Sequence, residues 1–228
     1  MVNSTTLCWI CSNPATTGEH RTKASDLKSE FGKISQKSPL YLNSKNKRNV
    51  KINSIKKSSE LKYNSPLCPN CNNARTASHD NAWLAVSKNL RARKNLSKGS
   101  IIKLEKIFPG TVKDGMLKVH LFFVKQFGCA IQDLCIPIDI KEFSEAILNE
   151  TAHPKVHISF GASNGQITGS SDVELMSIDG CCVFATWFYV IGEIAVNVMF
   201  AEPSENRQGL INSWHPSTVI KRMKLAEY

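Results

Sequence analysis

Long apolar runs are missing from this chain. No stretch approaches the ~18–20 apolar residues of a membrane span. The longest candidate, residues 181–200, is broken by Gly192, Glu193 and Asn197. The N-terminus lacks the basic-then-apolar pattern of a secretory signal. Repeats at solenoid periods are missing too. Acidic residues are scarce between residues 32 and 66, where Glu60 stands alone against nine Lys/Arg. These absences exclude a membrane span and a repeat architecture. They lead to the expectation of a soluble, cytoplasmic protein whose eight cysteines do not form a disulfide framework. A hydrophobic content of 42% is enough for an ordinary core.

Charge is present in excess, and it is unevenly placed. The net charge is +10, but residues 1–106 hold 20 Lys/Arg against 6 Asp/Glu, a net of +14. Residues 107–228 hold 9 against 13, a net of −4. Such asymmetry suggests a polyanion-binding part joined to a neutral or acidic one. For the basic half the natural polyanion is nucleic acid, because Lys/Arg contacts to phosphates release condensed counterions.

Four of the cysteines form two Cys-x-x-Cys knuckles in the basic half, Cys8/Cys11 and Cys68/Cys71. Zinc favours tetrahedral thiolate ligands, and a two-residue spacer lets each knuckle offer both sulfurs to one ion. Four cysteines leave no open coordination position, so this zinc is expected to be structural rather than catalytic. The 56 residues between Cys11 and Cys68 are many for a simple zinc ribbon. They suit a fold in which zinc ties the start of a hairpin to the start of a later helix. Cys129, Cys135, Cys181 and Cys182 lie in apolar settings and are expected to be buried small hydrophobes.

The pattern of elements supports two parts, residues 1–98 and residues 101–228, divided at Lys98-Gly99-Ser100. In the first part, residues 24–31 predict a short helix capped by Ser25. Residues 40–42 and 50–52 predict strands around the turn-like 43–49 segment. Two readings of residues 32–66 stand side by side: a basic ribbon lying on a phosphate backbone, or a solvated, partly disordered insertion. After Cys71 the composition favours helix to about residue 95. This is either one helix or a short one followed by a longer one capped by Ser78. Ala82, Trp83, Ala85, Val86 and Leu90 form its apolar side, and Arg91, Arg93, Lys94 and Lys98 suit its negative end. In the second part, residues 118–124, 156–160 and 183–200 read as strands, the last as a hairpin turning near Gly192-Glu193. Residues 140–148 read as a short helix. The expected class is therefore α+β, with mainly antiparallel strands in the second part.

A first Cys-x-x-Cys, then Glu19-His20, then Cys68-Pro69-Asn70-Cys71-Asn72-Asn73-Ala74-Arg75 resembles the HNH endonuclease family over about residues 7–95. The resemblance implies a ββα-metal unit built of a hairpin, a loop and a helix around one divalent cation. It implies hydrolysis of nucleic-acid phosphodiester bonds, with double-stranded DNA as the expected partner and Mg2+ or Mn2+ as the catalytic ion beside the structural Zn2+. His20 matches the general base, a role suited to an imidazole near neutral pKa. Glu19 and Asn72 match metal ligands, and Asn64 stands nearest to the residue that orients the base. A 3.6-residue repeat sets Asn72, Arg75 and His79 on one helical face. His79 is then expected in the metal shell and Arg75 on a phosphate, with Lys23 adding a second phosphate contact. The first half is also similar to nucleases of bacterial defence systems.

The second half carries no motif that reads as catalysis. His120 and His157 sit within apolar stretches and are expected to pack rather than ligate. Cys181 and Cys182 are adjacent, so a strand would point them to opposite faces. Two readings of this part stand side by side: a folded scaffold, or a part that gives specificity or regulates the nuclease through a homodimer or a regulatory partner. The competing reading of the whole is a zinc-ribbon protein that binds nucleic acid without cutting it.

Overall fold

Short hydrogen-bonded turns, rather than long elements, begin the fold. The computed structural model describes residues 6–93 and 95–228; Lys94, expected at the end of the second helix, lies outside them. At the first knuckle the Cys8 N–H donates to Asn13 O and the Ser12 N–H to Cys8 O, each at 2.8 Å. Ser12 takes φ 59°, which turns the chain back. Helix α1 (Ala24–Phe31) follows, with Lys23 at its N-cap and no side-chain cap; Ser25 lies inside the helix instead of capping it. Leu27 from α1 packs with Ile52, Ile55 and Leu61 in a small cluster of its own. That cluster anchors strands β1 (Leu40–Leu42) and β2 (Val50–Ile52), which pair antiparallel with Leu40 opposite Ile52. Residues 40–52 are thus a ribbon, with Lys45, Arg48 and Lys51 exposed on it.

The chain then returns beside its own start. Thr17 bridges Leu67 and His20 bridges Lys62, both antiparallel. The second knuckle runs into a wide helical turn, Asn70–Ala74, and then into α2 (Ala77–Arg91). Of the two readings of this region, a short turn followed by a longer helix is the observed one. Thr76 heads α2 and Ser78 lies within it, a correction to the expected cap. The reason is local: the Thr76 hydroxyl donates to Cys71 O at 3.0 Å and closes the wide turn, which shifts the helix start two residues back.

Beyond the linker, β3 (Ile101–Lys103) leads to α3 (Val112–Asp133) and α4 (Ile140–Asn149), the latter capped by the Asp139 carboxylate on the Lys141 N–H at 2.8 Å. Strands β4 (Val156–Ala162), β5 (Gly169–Ser170), β6 (Glu174–Ile178), β7 (Cys181–Ile191) and β8 (Ile194–Ala201) follow. A short helix α5 (Gln208–Ile211) and strands β9 (Arg222–Lys224) and β10 (Ala226–Glu227) end the chain. The main sheet runs β10-β4-β8-β7-β5, with β6 also on β7. All its pairings are antiparallel except β10 on β4. The expected hairpin is β7–β8, closed at Gly192-Glu193 with Gly192 at φ 54°. No helix among the described residues is long and apolar enough to cross a membrane.

The strand expected over residues 118–124 is overturned. Residues 118–124 are the middle of α3, not a strand. Leu121, Phe122, Phe123 and Val124 are all fully buried, so this helix has no polar face there to reveal a 3.6-residue period. A helix apolar all round reads like a buried strand. His120 accordingly lies in a helix as well. Of the four remaining cysteines, Cys129 and Cys182 are buried, but Cys135 and Cys181 are exposed. Alternation along β7 explains Cys181, and Cys135 (φ 51°) lies in the turn beyond the end of α3.

A single main core joins both sides of the linker at residues 98–100, from Cys8 to Leu225. Its centre is an aromatic cluster in which Trp83 of α2 meets Phe122 and Phe123 of α3 and Tyr189 of β7. The first knuckle joins it through Trp9, whose ring lies where a Cβ on Gly128 of α3 would come within 2.6 Å. Glycine at 128 is required by this close approach.

A polar pair lies inside that core. The His153 N–H donates to His120 Nε2 and the Lys155 N–H to His153 Nδ1, both at 3.1 Å. An N–H can only donate, so each ring is held neutral at the nitrogen a proton would need. Burial, with Lys155, His215 and His157 nearby, lowers both pKa values, that of His153 to about 3. The unfolded rings titrate near 6.5, so they take up protons first as pH falls. Stability is therefore full above pH ~6.5 and falls below it, for His153 by about 1.4 kcal/mol per pH unit down to about pH 3, with His120 adding loss in the same direction. Denaturant melts from pH 7 to pH 5 should show this slope, reduced in His153→Asn, whose amide oxygen can still accept from Lys155. A slope unchanged in that variant would remove His153 as its source.

Candidate functional site

The two Cys-x-x-Cys knuckles meet near the bridged segments 17–20 and 62–67. The four cysteine sulfurs all lie within 4.8 Å of one another, and Cys11 Sγ is 3.5 Å from Cys68 Sγ. A Zn–S bond of about 2.3 Å puts tetrahedral sulfurs about 3.8 Å apart, so the donor set fits a metal such as zinc. Cys8, Cys68 and Cys71 are buried, and none of the four is in a disulfide. Burial pushes the Cys8 and Cys71 thiols up. Burial also works against ionisation of Cys68, but hydrogen bonds from the Cys71 N–H and the neighbouring thiols outweigh it and bring that group down to about 7. Among the described residues this is the one group of three or more Cys, His, Asp or Glu whose donor atoms converge.

His20 stands half-buried at the end of the 17–20 segment. Its Nε2 lies 3.1 Å from Ile55 O. A carbonyl only accepts, so Nε2 donates this bond, and in the neutral ring Nδ1 holds the lone pair. Ile55 is buried in the small cluster, and the two residues after it, Lys56 and Lys57, are exposed. The segment after the ribbon therefore brings a carbonyl onto His20 and carries two exposed lysines next to it in the chain. Asn64, expected to orient the base, is exposed and uses its backbone N–H on Asp133 Oδ1 at 2.8 Å. With Thr16, Gly18 and Lys62 it lines a shallow groove of about 310 Å³.

Glu19 is 9% exposed, and its Oε2 meets Lys125 as an ion pair without a hydrogen bond of good geometry. Its Oε1 accepts the His20 N–H at 3.1 Å, and its Oε2 lies 2.7 Å from Lys125 Nζ. Lys125 comes from α3 and is wholly buried. It also donates to Thr76 Oγ1 at 3.1 Å and lies 3.7 Å from Asp80 Oδ2. Burial acts to lower its pKa, but the Glu19 and Asp80 carboxylates outweigh burial and hold it above the ordinary lysine value. Asp80 in turn pairs with Lys23 at 2.8 Å, so Lys23 is tied within the fold.

The other expected ligands separate. Asn72 donates its amide to Thr17 Oγ1 at 3.1 Å and so stitches the wide turn to the 17–20 segment. His79 is fully buried with neither ring nitrogen hydrogen-bonded, and burial lowers it to about 4. Arg75 is exposed beside the second knuckle. The break at Thr76 places Asn72, Arg75 and His79 in three different environments. Lys125, Asp80 and the Ile55 carbonyl were not identifiable as members of this site, because no local spacing connects them to Glu19-His20. Asp80 had the one available signal, its place beside His79.

No protein-family model, curated protein or solved structure matches the chain.

Proposed function

We propose that the chain is an HNH-like nucleic-acid phosphodiesterase, an endonuclease acting on DNA, with His20 as the base that activates water. The observation that carries this reading is the His20 ring itself: oriented by Ile55 O, proton on Nε2, Nδ1 free, and two exposed lysines next to Ile55 in the chain. A neutral imidazole in that state can take a proton from water while lysines attract the phosphate. The antiparallel pairing of segments 17–20 and 62–67, followed by α2 and braced by four cysteines, supports the same reading.

The divalent ion that the resemblance implies does not find a matching donor set. Glu19 Oε1 accepts the His20 N–H and Oε2 faces the Lys125 ammonium as an ion pair, while Asn72 bonds Thr17 and His79 is buried without a partner. No catalytic step is assigned to Mg2+ or Mn2+. The Glu19–Lys125 pair also favours a second reading, a zinc-braced module that binds nucleic acid without cutting.

Nicking of supercoiled plasmid by wild type and by His20→Ala, both shown to retain zinc, separates the two. Loss of a general base costs ~10²–10⁴-fold in rate, and that loss is expected in the variant with DNA binding intact. Retardation of DNA by both proteins, with no cutting by either, would favour the binding module.

A further inference from the structure

We infer that Lys125, reaching in from α3, fills the place beside Glu19 that an HNH-type site gives to a divalent cation, so that this site takes up neither Mg2+ nor Mn2+. The inference rests on the HNH-like reading above for its meaning, but its geometry is independent of catalysis.

The ammonium has three oxygen partners from three parts of the chain: Glu19 Oε2 at 2.7 Å, Thr76 Oγ1 at 3.1 Å and Asp80 Oδ2 at 3.7 Å. Thr76 spends its own proton on Cys71 O, which leaves its lone pairs for Nζ. Asp80 is shared with Lys23 through its other oxygen. Two carboxylates therefore meet two ammonium groups, and the buried charge is balanced without an ion.

Adding a divalent cation would upset this balance. Mg2+ demands near-octahedral oxygen ligands at about 2.0–2.1 Å. An ion at that distance from Glu19 Oε2 would sit within a few ångströms of Nζ, and like charges so close in a poorly solvated site repel strongly. Lys125 cannot simply withdraw, because it is wholly buried, as are its neighbours Val124 and Gln126 on α3. A lysine stripped of its carboxylate there would be an unpaired buried charge.

Lys125 touches no surface and so meets no substrate. It is a positioning residue. It holds Glu19, whose other oxygen accepts the His20 N–H, and the base is thereby fixed from the second half of the chain.

The test is a titration of the zinc-loaded, full-length protein with Mn2+, following the free Mn2+ signal by electron paramagnetic resonance. Mn2+ prefers oxygen ligands and leaves the thiolate site alone. The expected result is no stoichiometric uptake by wild type, with Glu19→Gln behaving identically. Uptake of one equivalent by wild type, lost in Glu19→Gln, would overturn the inference. Plasmid nicking in buffer freed of divalent ions, with and without added Mg2+, separates this outcome from the fate of the nuclease reading. Equal rates support both. Cutting only with Mg2+ keeps the nuclease and overturns the role given to Lys125. An absence of cutting in every buffer removes the nuclease and leaves the Mn2+ titration to decide on Lys125 alone.

Discussion

Chelating the metal from the purified protein is expected to unfold the N-terminal half and to lower the thermal midpoint of the whole chain. Structural zinc in small domains contributes an apparent ~10–16 kcal/mol at pH 7, because the site exists only when the chain is folded. The segments that the four cysteines join lack regular elements and are tied otherwise by scattered backbone hydrogen bonds, such as Trp9 N–H to Pro66 O at 3.2 Å. Residues 6–22 form turns, and between 17–20 and 62–67 the pairing is confined to isolated bridges. The damage should not stay local. Cys8, Cys68 and Cys71 belong to the same core cluster as Phe127 and Trp187, and Trp9 lies against Gly128. Even half of the lower figure, about 5 kcal/mol, corresponds to a fall of about 10–20 °C for a chain of this size. The measurements are zinc content by elemental analysis, expected at one per chain, and calorimetry before and after chelation. Cys68→Ser should reproduce the chelated state. An unchanged midpoint after complete removal of zinc would show that the cluster does not brace the fold.

The parts of this molecule that sequence reveals are those whose partners lie nearby along the chain. The knuckles are legible because two residues separate the cysteines of each pair. The ribbon at 40–52 and the β7–β8 hairpin are legible because alternation and a turn sit side by side. Helix α4 is legible because its apolar residues recur at helical spacing while the rest of its surface stays polar. Helix α3 is not, since burial on all sides erases that contrast. The site was legible in part. Glu19-His20 stands out as a candidate in the sequence, because the dipeptide lies between two knuckles. Its partners do not. Glu19 meets Lys125 from the other half of the chain, and no periodicity or spacing encodes an ion pair of that separation. His79 lies apart from Asn72 for a different reason: the helical register that would tie them is broken at Thr76 by a hydroxyl bonded to Cys71 O.

The same distance in sequence hides the residue whose loss should cost the fold most after zinc. Asp26, the third residue of α1, is expected to destabilise the protein by about 3–5 kcal/mol when replaced by Ala, because the change strips a buried charge network of its anion. Its carboxylate has no exposure and four side-chain donors. Oδ2 accepts Trp83 Nε1 at 2.7 Å and the Tyr189 hydroxyl at 2.6 Å. Oδ1 accepts Arg91 at 3.0 Å and the Ser87 hydroxyl at 3.2 Å. These donors come from α2 and β7, so one carboxylate joins α1 to both, and Tyr189 in turn accepts the Lys23 N–H at 3.0 Å. In Asp26→Ala the Arg91 charge loses its partner, and the Trp83 and Tyr189 donors are left unpaired in the interior. At roughly 2–4 °C per kcal/mol the midpoint should fall by about 6–20 °C. Asp26→Asn keeps the shape but turns one acceptor into a donor, so it should recover only part of the loss. Tyr189→Phe removes one neutral donor and should cost about 1–2 kcal/mol, since the charge and its other partners remain. If Asp26→Ala cost no more than Tyr189→Phe, the carboxylate would be an ordinary hydrogen-bond acceptor, and the join between α1 and the aromatic core would have to come from packing around Leu27 and Trp83 instead.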